Sequence, residues 1–213
     1  MKNKFSKYIL NKIKNKSPKI LLPEQDDPRI TQAVDIMKDM GFNIKSINEF
    51  NNTDKYIEHI KNKKFTNNWT SKMLCDYVSI PLNQGLIALD LGKIDGLVAG
   101  AKTSTAEVIK SSIRIVGVNK ESKWISSSFF MVSPNNIAYT FSDCGVIPEP
   151  SSEQLVSIAY QASITHKMLA NEDPKIAFLS FSTKGSADHY KVKRIRAAVQ
   201  KFSKKYPEIV HDG

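Results

Sequence analysis

Short apolar runs that end at glycine or proline alternate along this chain with longer segments whose apolar residues recur every three or four positions. This alternation restricts the fold more than any other feature. Lys19 to Leu22, Phe42 to Ile47, Asp95 to Gly100 and Ile176 to Phe181 read as strands, and Ser126 to Val132 and Ile137 to Phe141 add two more. Helices are expected over Phe5 to Lys16, from Asp27-Pro28 to a stop at Gly41, over Thr53 to Lys61, Thr70 to Leu74 and Leu82 to Leu91, and from the Thr103-Ser104-Thr105 cap to Val116. Two further helices are expected, one opening at Ser151-Ser152-Glu153 and one running through Phe202. Strands separated by helices pack into a largely parallel sheet, so the fold class is α/β. Glycine turns at strand ends place Gly100, Ser104 and Lys184 beyond the strand carboxyl ends, where such sheets bind ligands.

One of those turns has an unusual composition. The apolar run Ile176 to Phe181 empties into Ser182-Thr183-Lys184-Gly185-Ser186, just before a helical segment. Hydroxyls, an ammonium group, a glycine that allows close backbone approach and the N-H groups of a helix start are suited to an anion, phosphate first. The same residue types also make an ordinary strand-to-helix turn. The run lacks the glycine spacing of a P-loop, so nucleotide hydrolysis is not indicated.

Composition narrows the possibilities further. The chain has 213 residues, 41% of them hydrophobic, which is enough for one large domain or two small ones. No apolar stretch approaches the roughly 20 residues of a membrane span. Met1 to Lys19 carries seven lysines and no following apolar core, unlike a secretory signal, so a cytoplasmic location is expected. Cys75 and Cys144 are too few for a disulfide framework and have no metal-ligand spacing with the four histidines, so no metal site is expected. The net charge of +10 is spread over Lys2 to Lys19 and Lys184 to Lys205 without aromatic interleaving or a helix-turn-helix pattern. That argues against nucleic acid and for a cationic cleft holding a small polyanion.

Five stretches in order carry a resemblance. They are Leu21-Leu22-Pro23-Glu24-Gln25-Asp26-Asp27-Pro28-Arg29; Asp95 to Ala101 with Thr105-Ala106-Glu107-Val108; Ser127-Ser128-Phe129-Phe130-Met131; Phe141-Ser142-Asp143-Cys144-Gly145-Val146 with Pro148 and Pro150; and Leu179 to Ala187. Together they resemble the phosphate acetyltransferases, within the phosphate acetyl and butyryl transferase family, from about residue 19 to Gly213. The resemblance implies a three-layer αβα fold similar to isocitrate and isopropylmalate dehydrogenases. Residues 1–142 would form the N-terminal part of a first domain, and residues 143–213 an incomplete second domain. It also implies transfer of an acetyl group between CoA and orthophosphate, with phosphate, acetyl phosphate and CoA as partners, CoA serving as substrate and no further cofactor. Either a homodimer or a companion chain is expected.

The residues that this resemblance places at the substrate are Lys110, Ser127, Ser128, Ser182, Thr183, Lys184, Gly185 and Ser186. Lys110 stands where the family has an arginine that holds CoA or phosphate; the charge is kept but the two-pronged fork is not. A second family arginine has only a poor counterpart in Lys63 to Asn68, with Lys64 nearest. The family's Ser-Arg pair and following aspartate, which assist the thiol, are expected beyond Gly213, leaving the catalytic residues of this chain unknown and its activity alone in doubt. The alternative is a phosphate- or CoA-binding remnant or one subunit of a split enzyme. Asp143 reads as a turn cap or a group that orients a ligand, Cys144 as a buried unreactive thiol ahead of a catalytic one, and His189 as a solvated helix residue ahead of a phosphate contact. Asp26, Asp27 and Arg29 read as groups that cap and charge the first long helix or, alternatively, line the cleft.

Overall fold

The structure, a computed structural model, describes residues 4–13, 16–183 and 186–213. Lys184 and Gly185 therefore lie outside the described residues. The chain forms two compact units, one of Lys12–Gly117 and the other of Met1–Asn11 with Val118–Gly213. Residues 142 and 143, where the family resemblance puts its domain boundary, both belong to the second of these units.

In the Lys12–Gly117 unit, strand β1 (Ile20–Leu21) lies between β2 (Ile44–Lys45) and β3 (Gly96–Leu97), and all three are parallel. Successive side chains point to opposite faces of a strand, so Leu21 and Leu22 enter different clusters. Leu21 packs with Tyr56, Ile60, Val78, Leu86, Ile87 and Ile115, whereas Leu22 packs with Val34 and Ile44. The first cluster draws on α3 (Thr53–Ile60), α4 (Ser71–Val78), α5 (Pro81–Asp90) and α6 (Thr105–Ile115), and the second on α2 (Pro28–Asp39). Helix α1 (Lys4–Ile13) precedes them in the chain and, up to Asn11, belongs to the other unit. Gly85 lets α5 lie against the sheet, because a Cβ there would come within 2.6 Å of Leu97 Cδ1 and 2.9 Å of Leu21 Cδ2.

Local signals placed these helices well. Asp27 caps α2 by accepting from Arg29 N at 2.9 Å, and Pro28 occupies the first turn. Ser104 caps α6 by accepting from Glu107 N at 3.3 Å. The strands are much shorter than their apolar runs, because a ladder extends only as far as a neighbouring backbone keeps register. Phe42 to Ile47 contributes two strand residues and then turns into a 3-10 segment at Ile47–Phe50.

The other unit contains an antiparallel hairpin of β4 (Ser128–Val132) and β5 (Ala138–Ser142), with Phe129 opposite Phe141. It also contains the parallel pair β6 (Lys175–Ala177) and β7 (Val210–Asp212). The strand expected over Ile176 to Phe181 ends at Ala177, and Leu179 and Phe181 are 75% and 67% exposed. Strand β7 has no counterpart in the sequence reading. Helix α7 (Ser152–Ala170) opens on a capping box of Ser151 and Gln154 and closes on left-handed Asn171. It packs with α8 (Tyr190–Lys205) around Val156, Ala159, Ala198 and Phe202.

Candidate functional site

The loop between β3 and α6 is organised by a carboxylate. Glu24, 6% exposed, lies just beyond β1 and accepts four backbone N-H bonds, from Gly100 and Ala101 at 2.9 Å, Lys102 at 3.0 Å and Thr103 at 2.6 Å. Burial by itself pushes the Glu24 carboxyl up, but the Thr103, Ala101 and Lys102 amides outweigh it and lower the pKa to about 2. Gly100 has φ of +112°, a backbone state that a side chain disfavours, and this lets consecutive amides converge on one acceptor. The nest of amides expected to greet an external anion here holds an internal one. Arg29 braces the same loop, donating to Asp27 and to Ala101 O at 2.8 Å, and Lys102 pairs with Asp26.

Above that loop is a cavity of about 450 Å³, lined by the turn at Pro23, Glu24 and Asp26, by Tyr77, and by Ile80 to Asn83. Thr103 of the loop and, from helix α6, Glu107, Lys110, Ser111 and Arg114 close it, the helical residues keeping to one face by their spacing of three and four. Lys110, selected from the sequence, is among the residues that line this cavity. Neither Lys110 nor Arg114 forms an ion pair among the described residues, and the Arg114 guanidinium stands over the Phe65 ring at 5.9 Å. Asn83, 2% exposed, donates from Nδ2 to Tyr77 O at 2.9 Å, while its buried Oδ1 has no hydrogen-bond partner among the described residues. A buried acceptor left in that state costs about 1–3 kcal/mol. Lys64 is not among the lining residues; it opens a short 3-10 turn at Lys64–Thr66.

The remaining sequence candidates are in the other unit. Ser127 precedes β4; its hydroxyl donates to Asp143 Oδ1 and accepts from Cys144 N at 2.9 Å. The Asp143 carboxylate also accepts from Ser127 N at 2.7 Å and from Val146 N at 3.1 Å, and takes Gly145 and Ile147 amides. Burial raises its pKa, but the Ser127 hydroxyl and the Ile147 amide lower it to about 2 overall, so Asp143 is the turn cap that its position suggested. Ser128 begins β4 and is exposed. Cys144 is half-exposed rather than buried, with its thiol directed at Phe141 O at 3.1 Å, because the turn held by Asp143 keeps it near the surface.

Ser182, Thr183 and Ser186, the described residues of the run, meet neither a strand end nor a helix start. Strand β6 stops five residues before it and α8 begins four after it, with His189 as the cap whose Nδ1 accepts from Lys191 N at 3.2 Å. Ser182, Thr183 and Ser186 bond to one another instead. Ser186 Oγ lies 3.1 Å from Ser182 Oγ and accepts from Thr183 N at 3.1 Å, and Ser182 Oγ accepts from Ala187 N at 3.1 Å. Among the described residues no cluster of three or more His, Cys, Asp or Glu could hold a metal, and no helix is long and apolar enough to cross a membrane.

Glu24, Asn83, Tyr77 and Arg114 were missed by sequence reasoning. An asparagine in the otherwise apolar Pro81–Asp90 helix was a usable signal, as was the spacing that aligns Arg114 with Lys110. Glu24 gave none, since its amide partners are 76 to 79 residues away.

The chain has a mixed α/β fold with a pocket beside α6 lined by cations and carboxylates, and a fold of this kind does not by itself define a function. The phosphate acetyl/butaryl transferase family model matches residues 37–213, and the chain belongs to that family. The phosphate acetyltransferase of Thermoanaerobacterium thermosaccharolyticum is 32% identical, with the alignment covering 96% of this chain and 71% of that protein. The phosphate acetyltransferase of Buchnera aphidicola is also 32% identical over 96% of this chain, which spans 32% of its length. A phosphotransacetylase crystal structure from Streptococcus pyogenes superposes with a TM-score of 0.88 at 27% identity, covering 98% of this chain and 71% of that one.

Proposed function

We propose that this chain handles phosphate and CoA in reversible acetyl transfer, acetyl-CoA and orthophosphate giving CoA and acetyl phosphate. In the direction of acetyl-CoA synthesis the CoA sulfur, having lost its proton, attacks the acetyl carbonyl, the carbon-oxygen bond to phosphate breaks, and orthophosphate leaves. Leaving-group charge needs fixed cations, and the observation that carries the reading is the α6 face on which Lys110 and Arg114 line one pocket without ion-pair partners among the described residues. Family membership and the relatives' names support the reaction.

The finer reading is a fold similar to isocitrate and isopropylmalate dehydrogenases, with a first domain reaching residue 142 and a second beginning at 143. Lys184 and Gly185, with Ser127, Ser128, Ser182, Thr183 and Ser186, would then supply further contacts to substrate. CoA serves as substrate with no added cofactor, and the working form is a homodimer or a pairing with a companion chain.

The test is calorimetry of residues 1–213 with orthophosphate, acetyl phosphate and CoA. Binding of the phosphate ligands, weakened about ten-fold by Lys110→Ala as expected for one charged contact, supports the reading. Absence of phosphate binding, or an unchanged Lys110→Ala variant, overturns it.

A further inference from the structure

The unit that contains Val118–Gly213 holds a second cavity, of about 420 Å³, which shares no residue with the one beside α6. Much of its wall is aromatic. Trp124, 37% exposed and paired with no other ring among the described residues, lines it together with Tyr160 and Tyr206. The two tyrosine rings stack 4.1 Å apart and 5° from parallel. The loop that carries Trp124 is fixed in place. Asn119 Oδ1 accepts from Glu121 N at 2.8 Å, Lys123 N donates to Asn119 O at 3.0 Å, and Ser157 of α7 donates from Oγ to Ser122 O at 3.1 Å. These bonds hold Lys123 at a φ of +62°, a left-handed state that side chains disfavour. Five charged residues line the cavity, Glu121, Lys123, Glu153, Lys201 and Lys205, and they leave one net positive charge. Lys201 is engaged by Glu153 and by Ser152 Oγ at 2.8 Å. Lys205 places Nζ 5.2 Å from the centre of the Tyr206 ring, and neither it nor Lys123 forms an ion pair among the described residues. This excess of ammonium groups excludes a cationic guest, which aromatic walls alone would favour.

We propose that this cavity binds a planar aromatic carboxylate, its ring laid against Trp124 and the stacked tyrosines and its carboxylate held by Lys205 and Lys123. Aromatic faces favour a flat guest that can stack on them over a puckered one of similar size and charge. The carboxylate takes charge-assisted hydrogen bonds from ammonium groups that no side-chain carboxylate already engages. One net positive charge matches a monoanion, whereas a dianion such as a nucleoside monophosphate exceeds it and meets the Glu121 carboxylate as well. The volume falls in the range of small-molecule sites. Because the loop is held by its own hydrogen bonds before any ligand arrives, little ordering accompanies binding. The inference is independent of phosphate handling beside α6, since the two cavities have no side chain in common.

The experiment is calorimetry of residues 1–213 at pH 7 with 2-naphthoate and three controls: its fully saturated analogue, the uncharged 2-naphthylmethanol, and adenosine monophosphate. Naphthoate is expected to bind at least ten-fold more tightly than each control. Its position is read from the indole N-H resonances of the two tryptophans: that of Trp124 should shift, and that of Trp69, in the other unit, should not. Lys123→Gly removes an ammonium group while suiting the left-handed backbone, so the fold is kept and a loss of about ten-fold in affinity reports the charge. Lys205→Gln should weaken binding by a similar factor. The proposal is overturned by no naphthoate binding, by a shift at Trp69 instead of Trp124, or by any control binding as tightly as naphthoate. Unchanged affinity in both Lys123→Gly and Lys205→Gln overturns it equally.

Discussion

Replacing Glu24 by glutamine tests whether the loop leading into the cavity is held by one buried charge. Each carboxylate oxygen accepts two amides, Oε2 from Gly100 and Ala101 and Oε1 from Lys102 and Thr103. A glutamine keeps the shape but can satisfy only one of those pairs, and turns an NH2 group against the other. The folded carboxyl is held at about 2, well below the ordinary glutamate value, and at about 1.4 kcal/mol per pKa unit that corresponds to about 3 kcal/mol of stability. Because the folded pKa is depressed, this contribution is complete above about pH 5 and fades as pH falls toward 2. At pH 7, Glu24→Gln should therefore lower Tm by roughly 6–12 °C for a chain of this size. The gap from wild type should narrow as pH falls from 5 toward 3, as followed by circular dichroism melts. An unchanged Tm at pH 7, or a gap that is constant between pH 7 and pH 3, would refute the idea that the carboxylate charge organises this loop.

Two other substitutions probe the frame around the sites. Gly85→Ala adds a methyl group 2.6 Å from Leu97 Cδ1, and although alanine favours helix by about 1 kcal/mol, overpacking of about 1–3 kcal/mol should leave a net loss in urea melts. Asp143→Ala removes the acceptor that ties Ser127 to the 145–147 turn; a loss of about 1–3 kcal/mol at pH 7 is expected, declining in acid as the wild-type carboxyl titrates toward 2.

The helices were legible because their causes are local. Asp27-Pro28 at the head of α2, the Ser151 and Gln154 box of α7 and the spacing of Leu82, Leu86 and Leu89 in α5 all act within a few residues. Strand lengths were not, because Ile20, Ile44 and Gly96 stop or continue a ladder according to backbone brought from far along the chain. The same limit applied at the site. Lys110 was identified through its place in a family pattern, whereas Arg114 and Asn83 became functional candidates only when α6 and α5 were seen to enclose one cavity.

The sequence by itself determined the α/β class and the family, since periodicity, capping and motif order survive in one dimension. Tertiary structure decided that the glycine loop at residues 100–103 grips Glu24 rather than an outside anion. It also decided that the serines of the 182–186 run bond among themselves. The physical reason is competition for hydrogen bonds: an amide or hydroxyl binds the acceptor that folding brings nearest, and its identity depends on contacts made across the whole chain.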